Sequence, residues 1–205
     1  ALFLILTGVF FVFEITRPFS EAGVRGLAEW SSFFVVFLAP LLTMRLLAEE
    51  QKLGTLELLL TSPIREWEVV LGKYTASLLM LFSIQAVTLY YVLLIYIFGD
   101  PDTGPVFSAY IGLLLHGAAA LSIGLLGSSL SGNQIVSAVL GTAVLLIFNF
   151  IDRVSSVLTG APADFLNALS MNVALADFTR GIIDTYHLVY FISVIAVFLF
   201  LTIRS

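Results

Sequence analysis

The sequence predicts an all-α protein that crosses a membrane several times. Three observations carry this expectation. The 205 residues are 60% hydrophobic and only 11% charged, where a soluble domain carries about 25% charged residues. Mean hydropathy is +1.06. The apolar residues also come as continuous runs rather than in alternation, the pattern of spanning helices and not of strands.

Six apolar segments follow in order, and polar connections separate them. The first, "ALFLILTGVFFVF", ends near Phe13. It is shorter than the roughly 20 helical residues that a bilayer core needs, so the start of a first span is expected to lie before Ala1. The second runs from about Ser31 to Leu47, and the third from about Val69 to Phe98. The fourth spans about Phe107–Leu130, the fifth Ile135–Ile151, and the sixth Thr185–Ile203. "GDPDTGP" and "SGNQ" are tight connections. The segment Asp152–Asp184 is too polar to span and too apolar for a free loop. One or two short interfacial or re-entrant helices are expected there.

The distribution of Lys and Arg sets the expected orientation. Arg45, Lys52, Arg65 and Lys73 cluster around the second connection, and Arg204 follows the last span. Positive residues favour the cytoplasmic side. Six spans then leave both termini in the cytoplasm and 152–184 outside. The chain is read as one domain over 1–205, with a cytoplasmic region at 48–68.

Composition excludes several function classes. There are no cysteines and two histidines, which removes thiolate metal sites and Cys nucleophiles and makes a His-based metal site improbable. No basic nucleic-acid footprint exists. "VLGKY" lacks the first glycine and the Ser/Thr of a phosphate-binding P-loop. The Glu49–Glu50 pair is similar to the E-E-x-x-x-R signature of CAAX-type intramembrane proteases, but Gly54 stands where Arg should be. His116 has serines nearby without a nucleophile-elbow pattern.

The most mixed stretch is "EEQKLGTLELLLTSP", Glu49–Pro63. Leu53, Leu56 and Leu60 share one helical face, and Glu49 and Lys52 have i,i+3 spacing. Gly54 and Thr55 predict a break. Ser62 as N-cap and Pro63 at the first helical position predict a restart. Lys73 is placed to snorkel and Trp67 and Tyr74 suit an interface. Physical chemistry alone leaves two readings open: an interfacial anchor, or a docking surface for a cytoplasmic partner.

The segment Arg45–Leu79 resembles the loop between the second and third spans of ABC-2-type permeases. The matching residues are Glu49, Glu50, Gly54, Thr55, Glu57, Leu59, Leu60, Ser62, Pro63, Gly72 and Lys73. "FTRGIIDTYHLVYFISV" (Phe178–Val194) resembles the entry to the last span in the branch that includes gliding-motility-type permeases. The resemblance implies an amphipathic gate and coupling helix at 48–68, on which an ABC ATPase docks. It implies a second permease subunit, identical or related, in a bacterial inner membrane. It also implies that ATP and Mg are bound by the partner and no cofactor by this chain. The chain would then be the permease of an exporter, with no enzyme activity of its own. A second reading is a non-transporting subunit that passes force to, or assembles, an extracytoplasmic complex.

Inside the spans, His116 is an ionisable residue at membrane depth and so a functional suspect. A neutral histidine bonded to a neighbouring helix is the simpler expectation. Gly112, His116, Ala120, Gly124 and Ser128 recur at spacing four, a stripe suited to close helix packing. Asn149, Asp152 and Arg153 are expected to cap the fifth span, with an outer gate as the alternative. Glu14 and Arg17 invite the same capping reading after the first span.

Overall fold

The computed structural model describes residues 2–15, 24–54, 65–98, 102–155, 157 and 160–205. Among these residues the regular structure is helical. The helices are α1 (Leu2–Ile15), α2 (Val24–Thr43), α3 (Ala48–Leu53) and α4 (Glu66–Phe98). They continue with α5 (Thr103–Ser129), α6 (Gln134–Ser155), α7 (Ala161–Leu169), α8 (Met171–Thr179) and α9 (Thr185–Arg204). Among the described residues, five stretches are long and apolar enough to cross a membrane: Arg25–Leu53, Glu66–Ile97, Thr103–Ser129, Gln134–Ser155 and Thr185–Arg204. The chain is therefore a multi-pass membrane protein. Helix α1 is apolar but has 14 residues.

Successive long helices run antiparallel around α5. In the apolar window of α5, 72% of residues are buried inside the protein, against 22% for both α6 and α9. The reason is written in its side chains. Lipid is as apolar as leucine, so helices in a membrane associate through close packing and polar contacts rather than through the hydrophobic effect. Helix α5 carries glycines where its neighbours approach. A Cβ at Gly112 would lie 2.6 Å from Cβ of Phe178 in α8. At Gly117 it would meet Leu81 of α4, and at Gly124 it would meet Thr43 of α2. At Gly127 it would lie 2.9 Å from both Gly141 N and Ser137 O of α6. Each glycine thus receives a different helix. The fourfold-spaced stripe is buried along its length, and it faces α8 at one end and α2 at the other.

Polar side chains tie the same helices together. Tyr74 of α4 donates to Ala118 O at 3.0 Å, and Gln85 to Leu113 O at 3.2 Å. Tyr91 donates to Leu4 O of α1 at 2.9 Å. Ser108 of α5 donates to Phe178 O at 2.6 Å. Such interhelical bonds are worth about 0.6 kcal/mol each on average in a membrane.

Several boundaries differ from the sequence expectation. Helix α2 begins at Val24, a full two turns before Ser31, because Leu27 and Ala28 in those turns are buried in a cluster with Phe11, Ala109 and Leu175, with the exposed Arg25–Glu29 pair at 2.9 Å on the other face. Two short helices do occupy the segment before the last span, but they are unlike each other. Helix α7 buries no residue, whereas α8 buries Met171, Ala174, Leu175, Phe178 and Thr179. Composition could not separate them, since both are short and moderately apolar. Asn149 is not a cap: α6 continues to Ser155. The proposed helix starts at Ser62 and Pro63, and Arg17, lie outside the described residues. Of α1, Glu14 is placed only as backbone.

Candidate functional site

Among the described residues, two of the places where polar side chains gather bear on function. The first is the corner between α2 and α3. Pro40 in α2 has no N–H to donate, and its ring packs into the gap left by Gly141, whose Cβ would lie 3.4 Å from Pro40 Cβ. The i−4 ladder of α2 makes its last bond from Met44 N to Pro40 O at 2.8 Å. Leu46 N turns back to Thr43 O at 3.0 Å, an i−3 bond. Leu47 N and Ala48 N leave the ladder altogether and both donate to Ser128 Oγ of α5, each at 3.1 Å. The Ser128 hydroxyl donates in turn to Met44 O at 3.1 Å. Lys73 Nζ of α4 binds Leu46 O, and it pairs with Glu50 Oε1 at 2.6 Å. Buried backbone groups need partners, at a cost of about 1–3 kcal/mol for each one left unmade. Here α5 and α4 supply them.

Lys73 was expected to snorkel and does not. Its side chain is 18% exposed and turned toward the corner. Thus Glu50 and the Gly72–Lys73 pair, the two ends of the motif recognised in the sequence, meet in space. Glu49 is exposed on α3. Gly54 closes α3 in the left-handed region, with φ +67, and its N–H bonds Gln51 O at 3.2 Å. Glycine adopts that conformation without a Cβ penalty. Thr55, Glu57, Leu59, Leu60, Ser62 and Pro63 lie outside the described residues.

The second place is a cavity of about 470 Å³ at the opposite end, between α2, α6 and α8. Its volume falls within the range of about 300–1,000 Å³ that suits small molecules. Its lining mixes the aromatic Trp30 and Phe33 with the polar Arg25, Glu29, Asn149 and Asn172. Arg153 at its edge lies over the Phe150 ring at 4.8 Å. Behind the wall, His116 is fully buried and bonds Asn149 Oδ1 through Nε2 at 2.9 Å. Asn149 Nδ2 donates to Leu145 O at 2.9 Å. That fixes the amide so that His116 Nε2 carries the proton. Gly124 lies between the two places and serves packing against α2.

The second recognised stretch, at the start of α9, is structural. Phe178 is fully buried against α5. Asp177 bonds His187 Nε2 at 2.8 Å, Gly181 turns with φ +90, and Asp184 caps α9 by accepting from Tyr186 N at 2.9 Å. Reasoning from sequence missed the roles of Ser128, Gln51 and Ser129. The only available signal was the placement of Ser128 one helical turn after Gly124. No group of acidic residues and histidines suited to a metal occurs among the described residues.

An antiparallel bundle of long apolar helices, with a broken span and a short helix at one end and a mixed cavity at the other, is the architecture of a multi-pass membrane protein. The chain matches the family model for "ABC-2 family transporter protein" over residues 9–203. It belongs to that family. It is also 32% identical over 87 residues to the "Probable multidrug ABC transporter permease YbhR" of Escherichia coli K12. The counterpart in E. coli O157:H7 shows the same 32% over 87 residues. The matched region covers 42% of this chain and 23% of those relatives.

Proposed function

We propose that this chain is the permease subunit of an ATP-driven exporter, with ATP bound and hydrolysed by a partner subunit. The observation that carries the reading is the anchored corner at α3. A helix that leaves a spanning segment through a broken turn, held by side chains from α4 and α5, is built to bear load from outside the bundle. The family-like stretch from Glu49 to Pro63 begins on that helix. Its leucines suit a groove in a partner, and Glu49 and Glu57 suit basic groups at the rim. The α3 end then faces the cytoplasm of a bacterial inner membrane, both termini lie on that side, and α1 belongs to a sixth span. A second permease subunit completes the route.

The cavity between α2, α6 and α8 is the candidate substrate contact on the outer side. Its mixed aromatic and polar lining fits an amphiphile. ATP binding would bias two arrangements of the bundle differently, which is what coupling requires.

Co-expression with the ATP-binding subunit encoded nearest to this chain tests the reading. Wild-type chain should recover that subunit on purification and raise its ATP hydrolysis in proteoliposomes. Glu57→Lys should weaken both. Unchanged recovery and unchanged ATP hydrolysis in Glu57→Lys would remove the docking assignment.

A further inference from the structure

The α2–α3 corner is held by α5 where the ladder of α2 gives out. Between Thr43 and Ala48 the helical ladder is interrupted, and Leu47 N and Ala48 N both end on Ser128 Oγ. Gln51 Nε2 of α3 caps the carbonyl of the next residue, Ser129 O, at 2.7 Å. Ser205 Oγ, at the end of α9, bonds Ser129 Oγ at 2.7 Å. Gly132, in the turn between α5 and α6, lets the α3 backbone approach: a Cβ there would lie 3.7 Å from Lys52 N and 3.9 Å from Gln51 Cβ. A backbone without its ladder bends cheaply, whereas a buried hydroxyl holding three backbone groups does not let go cheaply.

We propose that Ser128 is a positioning residue that makes α3 one rigid unit with the end of α5 and the α5–α6 turn. Load applied beyond Gly54 is then delivered to α5 and α6, and α2 accommodates it by bending at residues 44–47. The proposal rests on the permease reading for the source of the load. The rigid unit itself can be measured without a substrate.

The chain has no cysteines, so introduced ones report cleanly. Gln51→Cys with Gly132→Cys places two Cβ atoms 3.9 Å apart, inside the window of about 3.5–4.5 Å that a disulfide needs. Gly132 has an ordinary φ, so the substitution is not strained. The disulfide should form in native membranes under mild oxidation. With the ATPase present, it should form at the same rate before and after trapping with vanadate, and the cross-linked complex should keep its ATP hydrolysis. Failure to cross-link, a rate that changes on trapping, or inhibition reversed by reductant would each overturn the rigid unit.

Ser128 itself is tested by transmission to the far end. Asn172→Cys lies exposed at the cavity. Its labelling by a maleimide should change on trapping, and Ser128→Ala should reduce that change about fivefold, the lower range of a coupling energy. Ser128→Thr, which keeps the hydroxyl, should restore it. An unchanged response in Ser128→Ala would overturn the role of Ser128. A wild-type chain that recovers no ATPase would instead overturn the permease reading, and the membrane cross-link would still decide the rigid unit.

Discussion

Helices α4 and α5 are both long, both apolar and adjacent in sequence, yet they occupy opposite environments. In α4 only 28% of the apolar window is buried inside the protein, against 72% in α5. The difference lies in side-chain size. Helix α4 exposes Leu79, Leu89, Tyr90, Leu93 and Ile97, large groups that pack against lipid tails as well as against protein. Helix α5 carries Gly, Ala or Ser at many of its positions, so α2, α4, α6, α8 and α9 can all approach its backbone. In water, large apolar residues mark the core. In a membrane the ranking is inverted, because only close backbone approach distinguishes protein from lipid as a neighbour.

Substitutions on the two helices should therefore differ sharply. Gly127→Leu should have the largest effect. Its Cβ would meet the α6 backbone at 2.9 Å, and backbone yields less readily than a side chain. A loss of about 3 kcal/mol is expected, measurable by unfolding of the purified chain in mixed micelles. Wild-type stability in this variant would mean that α5 and α6 do not touch there.

Asn149→Leu should come next. It leaves the buried His116 Nε2 without its acceptor, at a cost of about 1–2 kcal/mol. Combining it with His116→Phe should recover much of that loss, since no polar group is then stranded. A double variant worse than the sum of the singles would show that the pair does not act through this bond.

Lys73→Met removes a partly exposed ion pair to Glu50 and the bond to Leu46 O. Global stability should fall by about 1 kcal/mol, the lower end of the cost of a part-buried carbonyl left without its partner. Limited proteolysis near α3 should nevertheless quicken, because the corner loses its α4 anchor. Equal cleavage rates would assign the corner to Ser128 alone.

Leu89→Ala on the exposed face of α4 should have the smallest effect, within about 0.5 kcal/mol for the isolated chain. A cost rivalling that of Gly127→Leu would sharpen the comparison in a different way. It would mark the face as covered by protein rather than by lipid.

Much of this was legible in the residues. Continuous apolar runs showed helices and a membrane, and Gly54 was readable as a break because α3 does end there in the left-handed region. The spacing of Gly112, His116, Ala120, Gly124 and Ser128 pointed to a packing stripe. The start of α2 was not legible, since a mostly polar turn looks like a loop when only hydropathy is followed, and the burial of Leu27 and Ala28 depends on other helices. Helices α7 and α8 could not be told apart, because burial of α8 depends on Gly112 and Ser108 in another helix. The role of Lys73 was misjudged for a related reason. Snorkelling is the default for a lysine near a helix end, and only the broken ladder at Leu46 offers it something better.

The sequence by itself determined the environment, the helical class and which helix could be approached from several sides, because these depend on side-chain size and polarity along one segment. Tertiary structure alone decided which partners meet: Ser128 with the α2–α3 corner, Glu50 with Lys73, and His116 with Asn149. Those pairings span long separations in the chain. They exist because each interrupted or buried polar group must find a partner wherever the packing of other helices happens to bring one.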